Sequence, residues 1–172
     1  AEGIPRKLMP AVLDSFRKSC TREKAVLCND GNLQVGIQQK YKGFEGRVMI
    51  YLGNKGRVPL ELFRAEIEET KYLRWAPNTQ RIVSSAAVAA GSNVSLNVRF
   101  HTMKPFVSPP QLRISYSVGN KERSYALRLP IVATRFVVPV AMAGPKFVGI
   151  FGQIPATKQA QSVCDAGGTG LH

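Results

Sequence analysis

Apolar and polar side chains alternate along much of this chain, and the stretch 33–55, LQVGIQQKYKGFEGRVMIYLGNK, sets the pattern. Leu33, Val35 and Ile37 alternate with Gln34, Gly36 and Gln38; further on, Val48, Ile50 and Leu52 alternate with Met49 and Tyr51. Period-two alternation puts one set of side chains on a buried face and the other towards solvent. The stretch therefore predicts two β-strands. Between them, Tyr41-Lys-Gly-Phe-Glu-Gly46 carries two glycines, the residues best able to reverse a chain. Gly53-Asn54-Lys55 ends the second strand with turn chemistry.

The same pattern recurs on both sides. Leu8, Val12 and Phe16 fall at helical spacing, with Pro10 where a first turn tolerates it, so 9–18 is expected as a short helix. Residues 25–28 read as a short apolar strand followed by a turn at Asn29-Asp-Gly31. In 60–68, Phe63, Ala65 and Ile67 alternate with Arg64, Glu66 and Glu68, which suits a strand better than a helix. Residues 72–83 are less regular and hold the single tryptophan, Trp75, expected at a core edge. Residues 84–92 are small and read as a surface loop or an edge segment. The clearest strand follows, with Val94, Leu96, Val98 and Phe100 on one side and Ser95, Asn97, Arg99 and His101 on the other. Ser108-Pro-Pro110 interrupts. Leu112, Ile114, Tyr116 and Val118 form another strand, Gly119-Asn-Lys-Glu122 a hairpin turn, and Tyr125, Leu127, Leu129 and Ile131 the return. Seven or eight short alternating strands with Gly, Pro and Asn punctuation predict an antiparallel β-sandwich. From Arg135 the apolar residues, including 147–151, are irregular, and 152–172 reads as a polar tail.

A length of 172 residues suits one domain with a sizeable core. No apolar run is long enough to span a membrane, and no signal-peptide h-region stands at the N-terminus. Cys20, Cys28 and Cys164 are odd in number and irregularly spaced, so reduced thiols and a cytosolic setting are expected rather than a disulfide framework. Asn93-Val-Ser95 fits the glycosylation pattern, which matters only on a secretory route. Net charge is +13, and four of the eleven acidic residues (Glu61, Glu66, Glu68, Glu69) fall within nine positions, so the remaining surface is strongly cationic. Such a field attracts nucleic acid, anionic lipid or acidic peptide without choosing among them.

Catalytic chemistry is not indicated. The two histidines are His101, on a strand's solvent face, and His172, the last residue. No Cys/His metal spacing occurs, and Gly152, Gly167 and Gly168 lack the strand-to-helix context of a phosphate loop. The Glu61–Glu69 cluster reads as a solvated strand face. Neither enzyme activity nor a cofactor or metal is expected. Aromatic residues do not interleave with basic ones as stacking platforms require, so no nucleic-acid partner is expected either.

Three short motifs in the opening stretch, Gln34-Val35-Gly36, Gly46-Arg47 and Gly53-Asn54-Lys55, stand in the order and spacing of the appendage, or ear, of alpha-adaptin, the large subunit of the plasma-membrane clathrin adaptor. The chain resembles that family. The likeness extends upstream through Val26-Leu27 to the helix around Phe16, and downstream through Phe106-Val-Ser-Pro-Pro110, Leu129-Pro130 and Arg135-Phe136-Val-Val-Pro139. It covers about 12–151 and is poor over 72–91. It implies an all-β, immunoglobulin-like antiparallel sandwich over 25–139, preceded by a linker and short helix over 1–24. Over 140–172 it implies the start of a platform subdomain and a polar tail. The family's platform site is centred on a Trp where Phe151 stands here, so platform binding is not carried over. The sandwich's side site, which takes short W-x-x-F-type peptides, maps onto Gln38, Tyr51 and Asn93, where the family commonly has Lys, Phe and Gln. Lys55 and Arg99 are neighbours able to supply charge.

The resemblance implies a non-enzymatic recruitment module in clathrin-mediated endocytosis. Its partners would be linear motifs of accessory proteins and the other adaptor subunits. Its setting would be cytoplasmic, peripheral on plasma-membrane coated pits. Binding at each site would be weak and gain strength by multivalency. The alternative is a basic β-sandwich docking on anionic membrane or another acidic partner. An extracellular adhesion domain is a third reading, against which free thiols would count.

Overall fold

The computed structural model describes residues 8–138 and 140–155. Cys164, His172 and the greater part of the predicted tail lie outside the described residues. Residues up to Val138 belong to one compact unit and the C-terminal helix to a second.

The first unit opens with α1 (Met9–Ser19), which has Pro10 in its first turn and presents Val12 to the core. Nine antiparallel strands follow: β1 (Lys24–Asn29), β2 (Leu33–Lys42), β3 (Glu45–Asn54), β4 (Leu60–Ile67), β5 (Leu73–Trp75), β6 (Ile82–Val88), β7 (Asn93–Thr102), β8 (Gln111–Val118) and β9 (Lys121–Arg128). They pair as a five-stranded sheet, β1-β2-β3-β7-β5, and a four-stranded sheet, β6-β4-β8-β9. The two sheets make the antiparallel sandwich that the alternation predicts and that the resemblance describes as immunoglobulin-like. Leu33, Val35, Ile37, Val48, Ile50, Leu52, Leu96, Val98 and Phe100 from one sheet bury against Phe63, Ala65, Ile67, Leu112, Ile114, Tyr116 and Leu127 from the other. At roughly 25 cal/mol per Å² of apolar surface, this burial is the main favourable term of the fold.

Among the described strand residues, two fully buried inward positions are polar. Gln39 continues the inward series of β2 and is buried. Its amide donates to the carbonyls of Ser19 (2.7 Å) and Arg22 (2.8 Å), while the Tyr41 hydroxyl donates to its Oε1 (2.8 Å). Arg135 donates to the same two carbonyls, at 3.2 and 2.6 Å, placing positive charge at the C-terminal end of α1. The Ser19 carbonyl at the helix end and the Arg22 carbonyl just beyond it thereby gain side-chain donors. Asn54 is also buried; its amide donates to Val58 O (2.8 Å) and Val88 O (2.9 Å), and its oxygen accepts from Gly56 N (2.9 Å).

A third polar group clasps the two sheets. Asp30, in the β1–β2 turn, accepts the backbone N–H of Asn32 (2.9 Å) and Leu33 (2.7 Å) on Oδ1. Its Oδ2 accepts the hydroxyls of Tyr116 on β8 and Tyr125 on β9. Burial alone would raise the Asp30 carboxyl, but these four hydrogen bonds outweigh it and hold it below the ordinary carboxylate value. Burial beside Asp30 pushes the Cys28 thiol up to about 11.

Several details differ from the sequence expectation. The reversal between β2 and β3 is tighter than 41–46: the strands run to Lys42 and resume at Glu45, with Gly43 at φ +56°. Gly46 belongs to β3, and a β-carbon there would stand 2.5 Å from the Phe100 ring. Of the two readings of 84–92, the edge segment holds for 84–88, which form most of edge strand β6, with Ser84 and Ser85 paired to Arg64 and Phe63. Strand β4 is not a clean alternation: its pairing with β8 shifts between Glu61 and Arg64, and Leu62 bulges out at φ +48°. Residues 147–151, read as irregular, lie in α2 (Gly144–Gly152), where Phe147 and Phe151 stack one turn apart at 5.8 Å. Trp75, by contrast, stands at the core edge as expected, partly buried and edge-on to Phe100 at 5.5 Å, with the Arg81 guanidinium over its ring.

Candidate functional site

The residues expected at a binding site all sit on one surface, the outward side of the five-stranded sheet and its β3 end. The inward set of β2 and β3 is apolar, so the pleat sends Gln34, Gly36, Gln38 and Lys40, and Arg47, Met49 and Tyr51, the other way. Tyr51 is central. It stands between Gly36 on β2 and Ser95 on β7, with its side chain exposed. Gly36 offers no side chain, so the β2 flank of the Tyr51 ring is an open notch; a β-carbon there would lie 3.9 Å from that of Tyr51. Val26, opposite Gly36 on β1, is exposed and extends the apolar strip outward. The Tyr51 hydroxyl donates to the Met49 sulfur, laying the ring along its own strand.

Gln38 faces Met49 across the β2–β3 pair and joins Tyr51 in a pocket of ≈ 230 Å³, completed by Gln39, Lys40, Arg47 and Met49. Asn93 is not in that pocket. It faces Gly53 at the far end of the sheet, two residues along β7 from the Tyr51 partner Ser95. Lys55 lies beside the same Gly53: a β-carbon at Gly53 would be 3.8 Å from Lys55 Cε and 3.9 Å from Asn93 Cβ. Arg99 lies at the opposite end, facing Arg47. The structure thus brings Gln38 and Tyr51 together, sets Asn93 and Lys55 as a second pair across the face, and puts Arg99 in a separate row.

That row is the feature the residue-by-residue mapping missed. Lys40 faces Arg47, and Arg47 faces Arg99, on three adjacent strands. Its signal was present in the alternation, since Lys40 follows Gln38 by two and Arg47 precedes Met49 by two. Like charges directly opposite one another oppose strand pairing. None of the three forms an ion pair among the described residues. The acidic run of 61–69 lies elsewhere, where Glu66 pairs with Arg64 (2.8 Å), Glu68 with Arg113 (3.5 Å) and Glu69 with Arg81 (3.9 Å). His101 is exposed, 3.8 Å from Glu45. Among the described residues no three His, Cys, Asp or Glu side chains gather where a metal ion would sit. No helix among them is long and apolar enough to cross a membrane.

Comparison with known proteins places this surface in a family context. The family described as adaptin C-terminal domain matches residues 23–130, which spans β1 to β9 and the whole candidate surface. The chain is similar to the AP-2 complex subunit alpha-2 of Dictyostelium discoideum, 27% identical over 136 residues, or 79% of this chain and 13% of that protein. It is similar to the AP-2 complex subunit alpha-2 of Arabidopsis thaliana, 28% identical over 82% of this chain and 14% of that protein. It is also similar to the AP-2 complex subunit alpha of Schizosaccharomyces pombe, 23% identical over 92% and 18%. The chain therefore spans less than a fifth of the length of these relatives. Among solved structures, the yeast GGA1 GAE domain aligns at a TM-score of 0.48 with 17% identity, covering 62% of this chain and 98% of that one.

Proposed function

The chain belongs to the adaptin C-terminal domain family, and from that premise we infer that its sandwich is a non-enzymatic interaction module of a clathrin adaptor, recruiting accessory proteins by capturing short linear motifs. The observation that carries the reading is the Tyr51 strip. An exposed aromatic ring beside a side-chain-free notch, with the Gln38 amide at one end and the Asn93 amide at the other, suits an extended W-x-x-F-like peptide. Its aromatic residue would lie on Tyr51 and Gly36, and its backbone would bond to the two amides, with Lys55 and Arg99 at the periphery. The surface is shallow, so each site holds its peptide weakly, and several motifs on one partner supply the strength. The same proposal includes membership of an AP-2-type complex, with its other subunits as partners and coated pits of the plasma membrane as its place, and the similarity to AP-2 alpha subunits supports it.

An NMR titration of the domain with W-x-x-F and D-x-[FW] peptides tests this. Shift changes should cluster on Gln38, Tyr51 and Asn93, and Tyr51→Ala should weaken binding by at least about tenfold, as loss of an aromatic anchor does. Peptide shifts that ignore the Tyr51 substitution would remove the strip as the site.

A further inference from the structure

The two outward faces of the sandwich carry different electrostatics. On the four-stranded sheet, Arg64, Arg113 and Arg128 are matched by Glu61, Glu66 and Glu122, and two of the arginines are ion-paired. On the five-stranded sheet, six cations face outward: Lys24, Lys40, Lys42, Arg47, Arg74 and Arg99. Glu45 is the one carboxylate among them, and it sits by His101. All six cations are exposed, and none forms an ion pair among the described residues.

We propose that the outward face of the five-stranded sheet docks on an anionic lipid bilayer, with the Lys40–Arg47–Arg99 row at its centre. The distribution of charge selects this partner. The six cations occupy all five strands, one or two on each, so they spread over about 19 Å at about 4.8 Å per strand. Lys40, Lys42, Arg47 and Arg99 line one shallow pocket of ≈ 370 Å³, but Lys24 and Arg74 lie outside it on the two edge strands, where a single phosphate in that pocket would leave them unmatched. A bound peptide strand would track along one or two strands and leave the rest unmatched. A flat lattice of headgroups meets every strand at once, and an anionic leaflet attracts each Lys or Arg near its surface additively. This goes beyond motif capture: it assigns the same face a second kind of partner, held by the charge of Lys40, Arg47 and Arg99 rather than by the Tyr51 ring that anchors a peptide.

Sedimentation of the domain with phosphatidylcholine vesicles containing about 30% phosphatidylserine tests it at about 0.1 M salt, where charges on one face still act together. Two triple variants are compared. Lys40→Gln, Arg47→Gln, Arg99→Gln and the control Arg64→Gln, Arg113→Gln, Arg128→Gln each remove three positive charges, so a mere net-charge effect weakens both equally. The first should lose on the order of a hundredfold in partitioning, from about fivefold per cation, and the control less than about threefold. Thermal melts confirm that both fold, as expected for exposed charges. Equal losses in the two variants would overturn the proposal. So would no partitioning of the wild type while an acidic peptide bound it in a manner dependent on Lys40, Arg47 and Arg99.

Discussion

At the scale of single residues, Asp30 shows how one turn position reaches across the molecule. Its turn chemistry, Asn29-Asp-Gly31, is legible in the sequence; its partners Tyr116 and Tyr125 lie more than 80 positions away. The hydrogen bonds hold its pKa below the ordinary carboxylate value, and that fixes the sign of a pH effect. A carboxyl depressed in the folded state contributes stability that is complete above the unfolded value, about 3.9, and is lost as pH falls through the lower folded value. Asp30→Asn should cost about 1.5–3 kcal/mol at neutral pH, the range for hydrogen bonds to a charged group. The gap from wild type should shrink as the medium is acidified below about pH 4. Urea melts at neutral and acid pH measure both curves; a constant gap would mean the carboxylate charge is not what the clasp uses.

Among the elements, the strands that read most cleanly were those with one face buried over most of its length. β2, β3, β7 and β8 have mainly apolar inward series, and their facing in the structure follows the alternation. Gln39 and Asn54 stand where apolar residues would, because tertiary partners satisfy them, and no local pattern reveals those partners. β6 was ambiguous for a related reason. As an edge strand of Ser, Ala and Val its sides differ little in polarity, so the hydrophobic period is weak. Within the candidate surface, the alternation sent Gln38 and Tyr51 outward, but only the register set them in one pocket and lined up Lys40, Arg47 and Arg99.

β4 carries a further consequence at this scale. Its bulge holds Leu62 exposed in the left-handed region, where a side chain other than Gly, Asn or Asp is strained by about 1–2 kcal/mol. Leu62→Asn should therefore raise stability by about 0.5–1 kcal/mol, since Asn tolerates that backbone. The denaturant midpoint reads this directly, and a fall in midpoint would show that the leucine side chain contributes packing that outweighs the strain.

Taken whole, the sandwich is charged on one side and balanced on the other, which makes it an electric dipole as well as a cation. The long-range part of that field acts before any contact forms. In water at low ionic strength it turns the approaching molecule, so that the five-stranded sheet leads towards an anionic surface, and fewer encounters are wasted in wrong orientations. The asymmetry is thus a matter of timing more than of grip. Raising salt from about 0.05 M to about 0.5 M should slow association with an anionic partner at least about tenfold while changing dissociation far less. Stopped-flow mixing separates the two, and a salt effect confined to dissociation would contradict it. A domain that meets its target already facing it can release quickly and return quickly, so exchange on a crowded surface is set by how often it arrives, not by how long it holds.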